Sequence, residues 1–433
     1  MELSKDLKAF RDAVNNSDAP LVRQLLTSAQ VRHEINAPMF AFGQRAAHIA
    51  AKNPGSNAML DVLMAAGADV NLRSDWENGP YTVLDNATED TARFLIARGA
   101  TLTANVAARL GWLDDLRRLV TADPELVHAR GGDGQRPLHE AKTVAIAEFL
   151  LDHDADVDAR CIDHKSTPAQ YALADRPDVA RRLLERGATP DIYMPARLGD
   201  VALATRLLDA DPAAAAARIN EPGYAPVPPM HIYCWTLGFG QSPHDVALKF
   251  GHRDVYDLFV ARSPASVRFV NAVIAVDEPE ARALLEADRS LLSSLPRAVH
   301  GHLAFAIFGG HHRAAELMLR LGFDETAPGQ DGGTALHAAC WVGNVRMVEL
   351  LLERGRVPLE SRDPTHLSTP LGWAAHGSVH CRARGADYPA VVDRLVAAGA
   401  DINAPGNGAP DSLLAMADGN AAVQETLRRH GAR

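Results

Sequence analysis

The chain has 433 residues, of which 47% are hydrophobic and 23% charged, with a formal net charge of -10. That length exceeds one ordinary hydrophobic core, so the chain must divide into domains or grow by repetition. The composition is that of a soluble protein, no apolar run is long enough to span a bilayer, and the acidic balance argues against nucleic acid as a partner.

The amino terminus, Met1-Glu2-Leu3-Ser4-Lys5-Asp6, lacks the basic-then-apolar pattern of a secretion signal, so a cytoplasmic location is expected. Cys161, Cys234, Cys340 and Cys381 lie far apart and fit neither a disulfide framework nor a paired zinc-ligand spacing. They read as reduced thiols.

Taken in chain order, residues 4–30 form a charged helix pair, and 1–35 should act as an N-terminal cap. A short opening motif then recurs, at Arg45-Ala46-Ala47-His48-Ile49-Ala50-Ala51, Arg136-Pro137-Leu138-His139-Glu140-Ala141, Ser166-Thr167-Pro168, Ser242-Pro243-His244-Asp245-Val246-Ala247 and Ser368-Thr369-Pro370-Leu371. A closing motif recurs with it, at Ala66-Gly67-Ala68-Asp69, Arg98-Gly99-Ala100, Arg186-Gly187-Ala188 and Ala398-Gly399-Ala400-Asp401. The units are degenerate at 104–130, 192–219 and 266–292, and a polar segment at 410–433 should close the array.

The clearest unit runs from Gly333-Thr334-Ala335-Leu336-His337-Ala338-Ala339 through Gly343-Asn344 to Glu353-Arg354-Gly355. Thr334 suits a helix N-cap, Leu336 and Ala339 face inward one turn apart, and Gly343 stops the first helix. Met347, Leu350 and Leu351 then give the second helix an apolar face, and Gly355 suits a left-handed C-cap. This pattern resembles the ankyrin repeat. The resemblance implies an all-α solenoid of about thirteen helix pairs, each near 33 residues, forming one domain over 1–433.

Insertions are the informative departures, because a solenoid otherwise repeats itself. The first occupies 220–240 and contains His231-Ile232-Tyr233-Cys234-Trp235-Thr236 after a run rich in proline and glycine. It reads as an enlarged β-type finger; if 231–236 is extended, His231, Tyr233 and Trp235 share one face. That face is either a ligand contact or a small satellite core. The second insertion, an inter-helix loop at 378–388, follows His376 and lies at the end opposite the fingers. His376, His380 and Cys381 fall short of the four convergent ligands of a structural zinc site, so no metal and no cofactor is expected. Together these departures resemble a bacterial group of ankyrin-repeat proteins whose activity is mostly uncharacterised.

Eleven of the eighteen histidines fall between residues 231 and 380. His48, His139 and His337 occupy the opening motif, where the resemblance implies a hydrogen bond to the neighbouring finger, and His252 and His311 occupy an inter-helix turn. The remaining candidates are His231, His244, His300, His302, His312, His366, His376 and His380. Helix packing of about 8–10 Å per neighbour puts His300 and His302 about 20 Å from the His244 helix.

Two functions follow. In the first, the chain is a binding scaffold whose concave face and 221–240 finger engage a protein or an extended ligand, with His231, Tyr233, Trp235, His244, His302 and His376 as contacts. In the second, it is a cofactor-free lyase or dehydratase acting on a small apolar metabolite, with His231, Tyr233, Asp245 and His300 as its acid-base groups. A scaffold should expose Trp235 or Tyr233 on an open surface; an enzyme should enclose a pocket of a few hundred cubic ångströms, about the size of a metabolite site.

Overall fold

The computed structural model describes residues 4–220, 230–381, 383–404 and 412–433. Residues 1–3 of the N-terminal cap, 221–229 of the finger, Arg382 of the inter-helix loop and 410–411 of the C-terminal cap lie outside the described residues. Among the described residues all regular structure is helical, with no strand and one isolated bridge between Phe40 and Gln44.

The helices arise from a repeated local device. At helix Ala335–Trp341, Thr334 is the N-cap, and both its N–H and its hydroxyl meet Nδ1 of His337, at 3.1 and 2.9 Å. The second helix, Val345–Arg354, begins where the Asn344 side chain accepts from Met347 N and ends at Gly355, whose φ of 62° is left-handed. Its buried face is Met347, Val348 and Leu351, with Leu350 only half-buried. The same capping recurs at Thr103, Thr143, Thr167, Ser242 and Thr369.

The chain divides into two compact units. One comprises the described residues of 4–209, 218–220 and 230–256, the other those of 210–217 and 257–433. In the first, the pair Ala46–Lys52 with Asn57–Ala65 packs in a core that includes Phe10, Leu60, Leu63 and Leu95, and the pair Pro168–Ala172 with Pro177–Glu185 buries Tyr171, Val179 and Leu183. In the second, the core runs from Phe269 through Phe323, Leu351 and Val392 to Leu427. Each buried Leu or Phe contributes about 1.5–3 kcal/mol, and neighbours share that burial because one pair cannot cover its own apolar face.

Not every unit is a regular helix pair. Residues 83–86 form turns, and Pro137–Glu140 is a 3-10 helix. The expectation of an extended 231–236 is corrected: Tyr233–Thr236 is a short helix, and His231 and Ile232 lead into it. The 378–388 loop is also shorter than expected, because helix Pro370–His380 continues through Ser378 to His380. Gly377 permits this. A Cβ there would lie 2.5 Å from the carbonyl oxygen of Trp341, so only glycine lets the two first helices pass this closely.

Candidate functional site

The opening-motif histidines share one geometry. Nδ1 accepts from the backbone N–H three residues earlier, at Arg45, Arg136 and Thr334 for His48, His139 and His337. Nε2 then donates to a backbone carbonyl of the next finger, at Tyr81, Ser166 and Ser368, across 3.1–3.2 Å. Burial drives His48 and His139 down to about 4 and lowers His337, so these rings are neutral structural ties at physiological pH. His252 is another tie, with Nε2 bonded to the Arg197 carbonyl at 3.1 Å.

In the finger of the first unit, the three residues expected on one face part company. His231 and Tyr233 are fully buried, whereas Trp235 is 58% exposed. Tyr233 and Trp235 part because both lie on the short helix, where a spacing of two residues turns side chains by about 200°; His231 precedes it. His231 Nε2 donates to Oε1 of Gln170 at 3.0 Å, and its Nδ1 accepts from Tyr233 N. Tyr233 donates its hydroxyl to Oδ2 of Asp191 at 2.9 Å, where the Gln170 amide also donates. Burial pushes Asp191 up and Tyr233 far up, and lowers His231 to about 4. Trp235 meets Phe239 edge-on with ring centroids 5.4 Å apart, and Phe239 is 49% exposed.

The finger is fixed at its base. Ile219 N donates to the Gln241 carbonyl and Gly240 N to the Ile219 carbonyl, while Asn220 accepts from Met230 N. Asp245 serves this frame: its Oδ2 accepts from both the N–H and the hydroxyl of Ser242, and Arg218 stands 3.6 Å away. Asp245, named among the acid-base groups of the lyase reading, is thus part of a helix capping box. His244 is buried beside it, edge-on to Tyr256 at 6.1 Å.

In the second unit His300 is also committed to the fold. Nδ1 accepts from Asp324 N at 3.1 Å, the ring packs edge-on against Phe323, and burial lowers its pKa. His302 is buried at the first position of helix His302–Phe308. His376 lies in different surroundings. It faces Trp341 at 5.8 Å and His380 at 4.2 Å, and burial followed by the His380 charge lowers its pKa.

Trp341 stacks on Phe308, 6.2 Å away and 9° from parallel, and meets Trp373 edge-on at 5.9 Å. With His366, His376 and Met416 these rings wall a recess of about 180 Å³ along the first helices. Trp373 is fixed by its indole N–H, which donates to Asp363 Oδ2 at 2.9 Å. Against the desolvation that burial imposes, hydrogen bonds from His366 N, Trp373 Nε1 and Ser368 N hold the Asp363 carboxyl below its usual range. The shortened insertion lines a separate, wider cleft of about 860 Å³ with Gly309, Gly310, Gly343 and Cys381.

The first unit also holds a polar recess of about 100 Å³, walled by Tyr81, Asn105, Arg109, Asp133 and Glu140. Burial raises Glu140 to about 7, opposed by the charges of Arg176 and Arg109. Sequence reasoning missed it because Asp133, in Gly132-Asp133-Gly134, has the composition of an ordinary turn.

Residues 302–406 match a family model described as ankyrin repeats (3 copies). This segment consists of ankyrin repeats. It contains every wall of the aromatic recess except Met416, and the α-helices His302–Phe308, His312–Leu321, Ala335–Trp341, Val345–Arg354, Pro370–His380 and Tyr388–Ala397. Ankyrin repeats are generally protein–protein interaction modules. A 104-residue stretch is 36% identical to the transient receptor potential cation channel subfamily A member 1 of Drosophila melanogaster, covering 23% of this chain and 8% of that channel. The chain therefore spans far less than two thirds of that relative. No helix of the described residues is long and apolar enough to cross a membrane.

Proposed function

We propose that the chain is a binding scaffold for a protein partner, contacted through the 221–240 finger and through the ankyrin face of the second unit. The observation that carries this reading is the exposed Trp235–Phe239 pair, held above a buried His231–Gln170–Asp191–Tyr233 network. A rigid, exposed indole is suited to be an interface anchor: it offers a large apolar area, and the ordering of its backbone has already been achieved on folding.

The aromatic recess of the ankyrin segment supports the same reading on magnitude. Its volume of about 180 Å³ is below the roughly 300–1,000 Å³ of sites that enclose a small-molecule ligand, and it suits one apolar side chain of a partner. The acidic charge directs the choice toward protein rather than nucleic acid. Four unpaired thiols fit a reducing, cytoplasmic setting. The lyase alternative gains nothing from its own residues, since His231, Tyr233, Asp245 and His300 all hold the fold together.

The test is affinity capture from host extract with the wild-type chain and with Trp235→Ala/Phe239→Ala. Substituting exposed side chains should leave stability within about 0.5 kcal/mol. The double variant should lose a partner that the wild type retains; equal recovery by both would remove the finger from the interface.

A further inference from the structure

The finger turns of the first unit carry a donor set that the scaffold reading does not use. Asp133, Asp163 and His164 each present one ligand atom, and these three atoms lie within 4.8 Å of one another. Two come from carboxylates and one from an imidazole, on finger turns about thirty residues apart in sequence. The backbone fixes their approach: Ile162 N and Asp163 N both donate to the Asp133 carbonyl, at 3.0 and 3.1 Å.

Each of the three is oriented from outside the set. Trp76 Nε1 and the Tyr81 hydroxyl donate to Oδ1 of Asp133, and Asn78 Nδ2 donates to Oδ1 of Asp163 at 2.8 Å. His164 bonds through Nδ1 to the Met230 carbonyl at 2.9 Å. A carbonyl only accepts, so Nδ1 carries a proton and, in the neutral ring, Nε2 carries the lone pair. That lone pair faces Oδ2 of Asp163 at 3.4 Å. A cation between them satisfies both: a proton on Nε2, which makes an ion pair, or a metal ion that takes both atoms as ligands.

We propose that Asp133, Asp163 and His164 bind a divalent transition-metal ion that joins neighbouring finger turns of the first unit. Donors that share one ion at about 2.0–2.2 Å stand about 3.3–3.6 Å apart in a tetrahedral shell and up to about 4.4 Å when trans, so a pair near the 4.8 Å limit must close by between a few tenths of an ångström and about 1.5 Å. The outer hydrogen bonds are those that metal-ligating side chains use to fix carboxylate and imidazole orientation. Two hard oxygens with one imidazole and no thiolate suit Zn²⁺ or a neighbouring first-row ion, with water completing the coordination; Mg²⁺ is less suited because it prefers all-oxygen shells. Through the Met230 carbonyl the ion would also stiffen the base of the finger that carries Trp235.

The experiment uses the full chain without a purification tag, stripped with EDTA and titrated with Zn²⁺ against a chromophoric chelator. One equivalent should bind, and Asp163→Asn and His164→Gln should each weaken binding at least about tenfold while circular dichroism in EDTA stays unchanged. Asp133→Asn, which keeps an acceptor for Trp76 and Tyr81, provides a third variant should either of the others fail to fold. His376→Ala/His380→Ala should bind as the wild type does. No zinc binding, equal binding by the three finger variants, or loss only in the His376/His380 variant would overturn the proposal.

Discussion

His231 donates from Nε2 to Oε1 of Gln170 across 3.0 Å, and Gln170 stands where the regular opening motif has histidine. In the regular units the motif histidine donates to a backbone carbonyl; here the motif position must accept from a histidine instead. Gln170 can do both parts of this task. Its oxygen accepts from His231 and Thr167 N, and its amide donates to Asp191.

Restoring the motif should therefore do harm. In Gln170→His, a neutral ring accepting from Thr167 N would turn an Nε2–H toward the Nε2–H of His231. One buried donor would lose its partner, costing about 1–3 kcal/mol. Urea unfolding should show this loss, and a variant as stable as the wild type would refute the assigned donor and acceptor roles.

Acid should weaken the first unit through its buried histidines. His48, His139 and His231 titrate at about 4 in the folded chain and near 6.5 when exposed. Between these values the unfolded state binds more protons, so stability is complete above about pH 6.5 and falls as pH drops toward 4. Each histidine contributes about 1.4 kcal/mol per pH unit across that window. Denaturation midpoints at pH 7, 6 and 5 should decline in order, with a shallower decline in His139→Gln.

The regular units were legible because one short motif encodes both a cap and a cross-finger bond, as Thr334 and His337 show. The finger was not. Six residues are too few to separate a period of 2 from one of 3.6, and the choice was made by tertiary burial of Tyr233 against Asp191 and Tyr193. Asp133, Asp163 and His164 were hidden for a different reason: each is an ordinary turn residue until neighbouring fingers bring them together.

Gly377 should be intolerant of even one added carbon. Gly377→Ala would force a methyl against the Trp341 carbonyl, costing about 1–3 kcal/mol as an overpacked contact. Because Trp341 walls the aromatic recess, its fluorescence should shift along with the melting temperature. A shift in neither would contradict the packing described.

The scaffold reading is tested most directly by placing a photo-cross-linking amino acid at Trp235 and, as a control, at the exposed Val201, and irradiating each chain in host extract. The expected result is a discrete protein adduct from position 235 that excess unlabelled chain competes away, and none from position 201. No adduct at 235 above the level at 201 would contradict it.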